Sequence, residues 1–415
     1  MEDIKYFSQH KNLGIACVAS IALFNGINLP TTEFINFSSP IEFLLIFWFF
    51  LKWRTLTFSN QELLLYASLT IILFTGFLYN LTFSPEYQNI FHERTLTVFM
   101  GYFGWLKYLL LFVLLSSLIN EMPVATIRQG VLYGLGISAL YATFEILCFS
   151  LPLLFDLSPP EAAQTLDSFV HKSELDGWAR VRVRGLTFEP SYLIVVVGCL
   201  FPALLVIDKS WKKRLLNILL FTLFQFFISS PVGIVLLFVS VCFLVSKNRL
   251  QFILLQVFGF LVIMLIFYEQ LVTITTQIQF TSTLTRIGGW VSAYNVMMSY
   301  PIFGVGPGVG AVFAINHSPE FMTKVLNYSE IYDSVVHGEG SAIFSGFLQF
   351  ILVFGLAGLS VILLYFLANG VMKYSVQDRS RIYVAQCAFI SSFNVDGYVF
   401  MGFPFVLFLL MHRKL

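Results

Sequence analysis

The stretch Val98-FMGYFGWLKYLLLFVLLSS-Leu118 contains 21 residues and only one charge, that of Lys107. A helix needs roughly 17–25 mostly apolar residues to cross the hydrocarbon core of a bilayer. A buried strand is much shorter than this, and a helix of a water-soluble protein keeps one polar face. The stretch therefore predicts a transmembrane helix.

The composition of the whole chain agrees with this prediction. Hydrophobic residues make up 57% of the 415 residues and charged residues 11%, whereas soluble domains have roughly 45–50% and about 25%. The five cysteines all lie within apolar runs, and none forms a CxxC pair. This pattern argues against a disulfide framework or a zinc site, so we expect neither a metal nor another cofactor.

Apolar segments of similar character recur along the chain and predict an all-α fold with about twelve transmembrane helices. We expect one multi-pass membrane domain over residues 1–415, and we interpret its first apolar segment as a membrane helix because no cleavage site of small residues closes it. The predicted spans are 13–29, 36–51, 62–80, 98–118, 130–155, 191–207, 215–229, 231–246, 251–268, 342–369, 382–395 and 398–411.

The cations predict how these spans are oriented. With a cytoplasmic N-terminus and alternating spans, 16 of the 24 Lys and Arg residues fall inside and seven outside, and Lys107 is within a span. This asymmetry follows the positive-inside rule, so we expect both termini in the cytoplasm. Two external loops are long, 156–190 and 269–341, and long loops often carry function. Within the membrane, Lys107 and Glu145 are expected to pair at similar depth.

The first external loop contains three arginines that alternate with valines. In an extended segment Arg180, Arg182 and Arg184 would share one face and form a cationic row. Guanidinium groups suit phosphate oxygens, so the row fits a phosphate-bearing ligand. Contact with anionic lipid headgroups is the alternative that spacing alone leaves open.

Two residues near the ends of the external loops could transfer a proton. Glu189 precedes Pro190, which suits the first position of a helix. Glu189 would then complement the helix dipole, orient the arginines or act as a base. His337 closes the second loop and can exchange protons near neutral pH, although a lone loop histidine is often inert.

The second loop carries a predicted short helix, 281–300, followed by Pro301-Ile-Phe-Gly-Val-Gly-Pro-Gly-Val-Gly310. Alternate glycines can expose backbone N–H groups to an anion. They are also typical of a close-packed turn. The segment is not a Walker loop because no Gly-Lys-Ser/Thr follows.

Several of these motifs together resemble the Wzy-type O-antigen polymerases and the related O-antigen ligases. The segment Arg184-Gly-Leu-Thr-Phe-Glu-Pro-Ser191 resembles the family motif that opens the span after the first large loop. The family's R-x3-W…P-x2-G-x-G-x-G pattern resembles the set Arg286, Trp290, Pro301, Gly304, Gly306 and Gly308. The family's terminal histidine corresponds to His337, and its glycine-rich helix corresponds to the helix with Gly355 and Gly358. The resemblance covers roughly residues 180–360. It departs at Ser230-Pro231, where relatives often have Ser-Arg.

This resemblance implies polymerisation of undecaprenyl-diphosphate-linked oligosaccharide repeat units, as in lipopolysaccharide biosynthesis, on the outer face of the bacterial cytoplasmic (inner) membrane. It implies a metal-independent glycosyltransferase in which Arg184 and Arg286, assisted by Arg180 and Arg182, bind the diphosphate. Catalytic roles would fall to His337 and Glu189. The expected partners are the lipid-linked glycan and membrane lipids, together with a chain-length regulator and a flippase, and not nucleic acid.

Two other functions fit the same pattern. An O-antigen ligase would use the same chemistry to transfer the glycan to lipid A–core. A flippase or transporter of the lipid-linked glycan would instead place charges along a path through the bilayer. The compact group of external arginines favours chemistry at the membrane surface.

Overall fold

The computed structural model describes residues 2–21, 40–52, 60–150, 170–172, 179–181, 190–228, 230–276, 281–317, 345–368 and 379–392. These residues are helical except for turns, linkers and two three-residue strands, so the all-α prediction is confirmed. The helices are α1 Glu2–Ser20, α2 Pro40–Lys52, α3 Asn60–Phe83, α4 Pro85–Glu93, α5 Thr95–Glu121, α6 Val124–Ser150, α7 Pro190–Ile207, α8 Trp211–Ile228, α9 Pro231–Val245, α10 Arg249–Thr276, α11 Thr281–Ser299, α12 Gly310–Asn316, α13 Gly346–Ala368 and α14 Arg379–Ser392. The strands are β1 Val170–Lys172 and β2 Ala179–Val181.

Four helices of the described part are long and apolar enough to cross a membrane: Leu63–Phe83, Thr95–Glu121, Val124–Leu147 and Gly346–Tyr365. Each overlaps a span predicted from sequence. Large apolar side chains on these helices remain exposed, for example Leu64 at 69% and Leu140 at 74%. Exposing such continuous apolar surfaces to water is unfavourable, whereas contact with lipid acyl chains is favourable.

Shorter apolar helices lie at Val232–Val245, Arg249–Val262 and Ile382–Ser391, each overlapping a predicted span. Helix α1 begins at Glu2, eleven residues before the predicted span 13–29, and residues 22–29 of that span lie outside the described residues. Helix α4 was not predicted at all. It begins after Ser84, whose hydroxyl accepts a hydrogen bond from Tyr87 N at 3.1 Å, and Pro85 occupies its first turn.

Helix α5 joins two apolar cores. Val98, Tyr102 and Trp105 in its first half belong to a core made with α3, α4 and α11–α13. Leu114 and Leu118 in its second half belong to a core made with α1, α2, α6–α10 and α14. The start and the end of α5 therefore mark two opposite ends of the molecule, about 40 Å apart at 1.5 Å per residue.

Helix α13 is broken near its middle at Gly355, where φ is +61°. The glycine-rich segment 301–310, called here the glycine loop, satisfies the backbone groups at this break. Leu356 N donates to Pro301 O and Ala357 N to Ile302 O, each at 2.9 Å, while Val305 N donates to Leu352 O at 2.7 Å. Irregular backbone is tolerated within a membrane span where protein covers it. A segment predicted to lie outside therefore packs against the midpoint of a candidate span.

Candidate functional site

The structure describes the backbone of two of the six predicted site residues. Arg180 lies in β2, opposite His171 of β1 in an antiparallel pair. The extended conformation predicted for the arginine row is thus confirmed at 179–181. Arg286 lies in the second turn of α11, which confirms the short helix predicted there. The other four lie outside the described residues, and they are Arg182, Arg184, Glu189 and His337.

Pro190 is the first residue of α7, as predicted from its fixed φ angle. Glu189 directly precedes this helix in the sequence. Its predicted capping, orienting and catalytic roles remain open predictions, as does the role of His337.

A different group of polar side chains meets where α3 and α4 join. Tyr300 donates from its hydroxyl to Glu86 Oε2 at 3.0 Å, and His317 Nε2 lies 3.3 Å from the same oxygen. Asn316 Nδ2 donates to Glu86 Oε1 at 3.3 Å. Ser84 Oγ lies 2.8 Å from the Tyr300 hydroxyl. We call these five residues the acid–histidine cluster.

Backbone and ring contacts hold the histidine of this cluster in position. His317 follows α12, and its carbonyl accepts a hydrogen bond from Asn295 Nδ2 of α11 at 3.0 Å. Its ring stacks on Phe313, with centroids 6.3 Å apart and planes at 21°. Tyr300 packs edge-on against the same phenyl ring at 5.1 Å. Aromatic packing thus orients two members of the cluster toward Glu86.

The acid–histidine cluster is accessible and has groups suited to proton transfer. The side chains of Glu86 and His317 are 37% and 24% exposed. Burial raises the pKa of the Tyr300 phenol, and the nearby Glu86 charge raises it further, so this hydroxyl remains a donor. If His317 Nε2–H donates to Glu86, Nδ1 is left as an acceptor. A histidine oriented by a carboxylate is a common arrangement for general acid–base catalysis.

The glycine loop directly follows Tyr300 of this cluster in the chain. Asn80, near the end of α3, donates from Nδ2 to Gly304 O at 2.7 Å. The N–H groups of Gly304 and Val305 are bonded to Tyr300 O at 3.2 Å and Leu352 O at 2.7 Å. They are therefore not available to an anion. For these two residues, the structure favours the close-packed turn over the anion-binding loop.

Glycine is required at several positions of this loop because backbone from other helices approaches it closely. A Cβ atom at Gly304, where φ is +66°, would lie 2.1 Å from Leu352 O. A Cβ atom at Gly308, where φ is +84°, would lie 2.6 Å from Thr97 O at the start of α5. The alternating glycines thus allow the loop to pack between α5 and α13.

A second polar group lies where α5 ends and α6 begins, at the opposite end of the molecule. Arg128 donates from Nε to Asp208 Oδ1 at 2.7 Å and from Nη2 to Oδ2 at 3.4 Å. Asn217 Nδ2 donates to Asp208 Oδ2 at 3.0 Å. Arg214 Nε donates to the Asp208 carbonyl at 2.6 Å. With Arg379 nearby, we call these five residues the arginine cluster.

Lys107 has a carboxylate partner that the sequence analysis overlooked. Its Nζ lies 3.3 Å from Glu42 Oε2 of α2, and the Glu42 side chain is only 1% exposed. Glu42 lies within the predicted span 36–51, so it belongs with the deep charges of the chain. A contact between Lys107 and Glu145 stays a prediction.

The acid–histidine cluster was also missed, although one local signal was present. Ser84-Pro-Glu86 is typical of a helix start, with a capping serine, a proline in the first turn and an early acidic residue. Finding α4 would have drawn attention to Glu86. No local pattern links Glu86 to His317, which is 231 residues away.

Comparisons with known proteins add no assignment. No protein-family model matches the chain, and no curated protein matches it significantly.

Proposed function

We propose that the protein polymerises undecaprenyl-diphosphate-linked oligosaccharide repeat units on the outer face of the bacterial cytoplasmic membrane. The observation that carries this proposal is the order and sidedness of the motifs. Arg184 and Glu189 precede one predicted span, whereas Arg286, the glycine loop and His337 precede another. In the predicted twelve-span topology these residues precede their spans on the cation-poor side, and the glycine loop extends from that side to pack against α13.

The proposed reaction needs no nucleotide because the lipid diphosphate is itself the leaving group. A hydroxyl of the acceptor glycan attacks the anomeric carbon of the donor glycan. The new glycosidic bond forms, the bond from carbon to the diphosphate oxygen breaks, and that oxygen keeps the electron pair. The hydroxyl proton passes to a base, and undecaprenyl diphosphate is released.

Within this proposal the arginines stabilise the departing diphosphate. Arg184 and Arg286 come from different loops and would contact its oxygens as charge develops. Arg180 and Arg182 would attract the anionic substrate. His337 and Glu189 are the bases proposed from sequence. The pair Glu86–His317 adds an alternative base, since it lies beside the glycine loop that follows α11.

Reconstitution with purified protein tests the proposal most directly. The protein is incubated with lipid-diphosphate repeat units alone, and the products are separated on a gel. A ladder of increasing length is the expected result. Reaction only after addition of lipid A–core would indicate a ligase instead. Absence of reaction under both conditions, with movement of the lipid across proteoliposomes, would indicate a transporter.

Arginine variants test the proposed diphosphate contacts. Arg184→Ala and Arg286→Ala should abolish laddering, whereas Arg→Lys should retain a small residual activity because lysine keeps the charge and loses the two-pronged geometry. Arg180→Ala and Arg182→Ala serve as matched comparisons and should be more tolerant. Full ladders from both Arg184→Ala and Arg286→Ala at normal membrane abundance would show that these contacts do not exist.

The twelve-span topology with both termini inside is part of the same proposal. A reporter fused after Lys213 should be cytoplasmic, and one inserted after Glu320 should be external. The second site lies beyond His317, so insertion leaves the acid–histidine cluster intact. Location of both reporters on one side would refute the topology.

A further inference from the structure

Two arginines far apart in sequence converge on one aromatic ring at the end of α9. The Cζ atoms of Arg214 and Arg379 lie 5.5 and 4.9 Å from the centre of the Phe243 ring. Arg214 is held by the Asp208 carbonyl, and Arg379 donates from Nη1 to Ser246 Oγ at 3.1 Å. Both guanidinium groups are therefore fixed near each other by cation–π contacts and hydrogen bonds.

The charge of this pair is not balanced by the carboxylate next to it. Both oxygens of Asp208 are engaged by Arg128 and Asn217. In the part of the chain that the structure describes, no carboxylate forms an ion pair with Arg214 or Arg379. The arginine cluster thus contains three guanidinium groups around one carboxylate.

Placing two like charges in a partly buried position is unfavourable. Burial lowers the pKa of Arg214, although Asp208 partly offsets this. Burial also lowers the pKa of Arg379, and the positive charge of Arg214 lowers it further. An anion held between the two groups would remove this cost, because each guanidinium retains N–H donors suited to phosphate oxygens.

Apolar surface suited to alkyl chains lies on α8 and α10, two helices whose first residues are close in sequence to Arg214 and to Ser246, which binds Arg379. In the turns of α8 that follow Arg214, Leu216 and Leu219 are 56% and 58% exposed. A groove of about 340 Å³ runs along the first turns of α10 and is lined mainly by apolar side chains between Asn248 and Phe258. It begins two residues after Ser246. A ligand with a phosphate and alkyl chains would match both surfaces.

We propose that Arg214 and Arg379 form a binding site for a phosphate-bearing anion, supplied by the headgroup of an anionic phospholipid. The site lies near the end of α5, whereas the glycine loop packs against the start of α5. Its occupant would link the start of α8, the end of α9 and the start of α14. The inference is independent of the proposed polymerase activity, because it concerns other residues and a different ligand.

Lipid-dependent stability of the full chain tests the site. The thermal unfolding midpoint is measured in a neutral detergent with added phosphatidylglycerol, phosphatidylcholine or inorganic phosphate. Phosphatidylglycerol should raise the midpoint and phosphatidylcholine should not. The double variant Arg214→Gln/Arg379→Gln should need at least about tenfold more phosphatidylglycerol for the same rise. An equal rise with inorganic phosphate would support the site and identify a soluble phosphate as sufficient.

A matched variant separates this site from the general basic surface. Lys212→Gln/Lys213→Gln removes the same charge from exposed positions of the same helix, and its lipid response should stay within about threefold of the wild type. Arg214→Lys/Arg379→Lys keeps the charge and should lose part of the response, which provides a test if the glutamine variant does not fold. The proposal is overturned if both arginine variants keep the full response, if the lysine control loses as much, or if phosphatidylcholine acts equally.

Discussion

The acid–histidine cluster and the arginine cluster lie toward opposite ends of α5, on different helices, and have opposite charge balance. In the first, the carboxylate of Glu86 is surrounded by neutral donors and one histidine. In the second, Asp208 is shared by Arg128, Arg214 and Asn217. The cation-rich end coincides with the side that the positive-inside rule assigns to the cytoplasm.

The two clusters differ in the burial of their carboxylates as well as in charge. Glu86 is 37% exposed in its side chain, whereas Asp208 is 5% exposed. An exposed carboxylate can meet a substrate and contributes little to stability. A buried carboxylate that accepts several hydrogen bonds stabilises the fold. We therefore expect substitutions to affect activity at the first cluster and stability at the second.

The largest loss of stability is expected at the glycine loop, which supports the acid–histidine cluster. Gly304→Ala would place a Cβ atom 2.1 Å from Leu352 O at a residue with φ of +66°. The free energy of unfolding should fall by about 3–5 kcal/mol because backbone must move on both sides. Denaturant unfolding in mixed micelles measures this.

Gly136→Ala is the matched control for this substitution. A Cβ atom at Gly136, within α6, meets nothing within 4 Å. Alanine should therefore leave stability unchanged or raise it by up to about 1 kcal/mol, since it favours the helix. Equal effects of the two substitutions would show that the loop is not packed as described.

A somewhat smaller loss is expected at the arginine cluster. Asp208→Asn leaves Arg128 without its carboxylate and should cost about 3 kcal/mol of unfolding free energy. Activity per folded molecule should remain near that of the wild type. Lys209→Gln, at the exposed neighbouring residue, should change stability by less than about 0.5 kcal/mol. A loss of activity without a loss of stability in Asp208→Asn would reverse the proposed distinction between the two ends.

Substitutions in the Lys107–Glu42 pair should cost less stability than Asp208→Asn and more than Glu86→Gln. Reversing either charge should cost about 2 kcal/mol, because Glu42 is almost fully buried while Lys107 is a quarter exposed. Lys107→Glu/Glu42→Lys should recover a substantial part of that loss in a double-mutant cycle. The parallel cycle with Glu145 tests the contact predicted from sequence. If stability is recovered in the cycle with Glu145 and not in the cycle with Glu42, the pairing of Lys107 with Glu42 is contradicted.

The smallest effect on stability is expected at Glu86. Glu86→Gln should lower the free energy of unfolding by less than about 1 kcal/mol. If Glu86 orients His317 as a base, the rate of polymerisation should fall about 100-fold or more, with little change in donor binding. Rates are measured from ladder formation per folded molecule.

Glu93→Gln and His92→Asn are suitable controls because both side chains are exposed on the same short helix. They should leave rate and stability unchanged. If Glu86→Gln and His317→Asn also retain the wild-type rate in a protein that makes ladders, the cluster has no catalytic role, and His337 or Glu189 remain the proposed bases.

Local patterns were sufficient for many of the helices. The apolar run Val98–Leu118 lies within α5, Pro190 begins α7, and the short helix after residue 280 is α11. These features depend on hydropathy, fixed φ angles and capping, which act over a few residues. Helix α4 followed a recognisable start signal at Ser84 and was missed because its sequence is too short and polar to form a span.

The sequence by itself determined the all-α class, the candidate spans and the charge asymmetry, since each depends on residues close together in the chain. Only the tertiary structure decided which polar groups meet. It joined Glu86 to His317, Lys107 to Glu42 and Arg379 to Phe243. It also decided that the glycine loop is buried against α13. Such contacts depend on how helices pack across tens to hundreds of residues, and neither periodicity nor motif spacing contains that information.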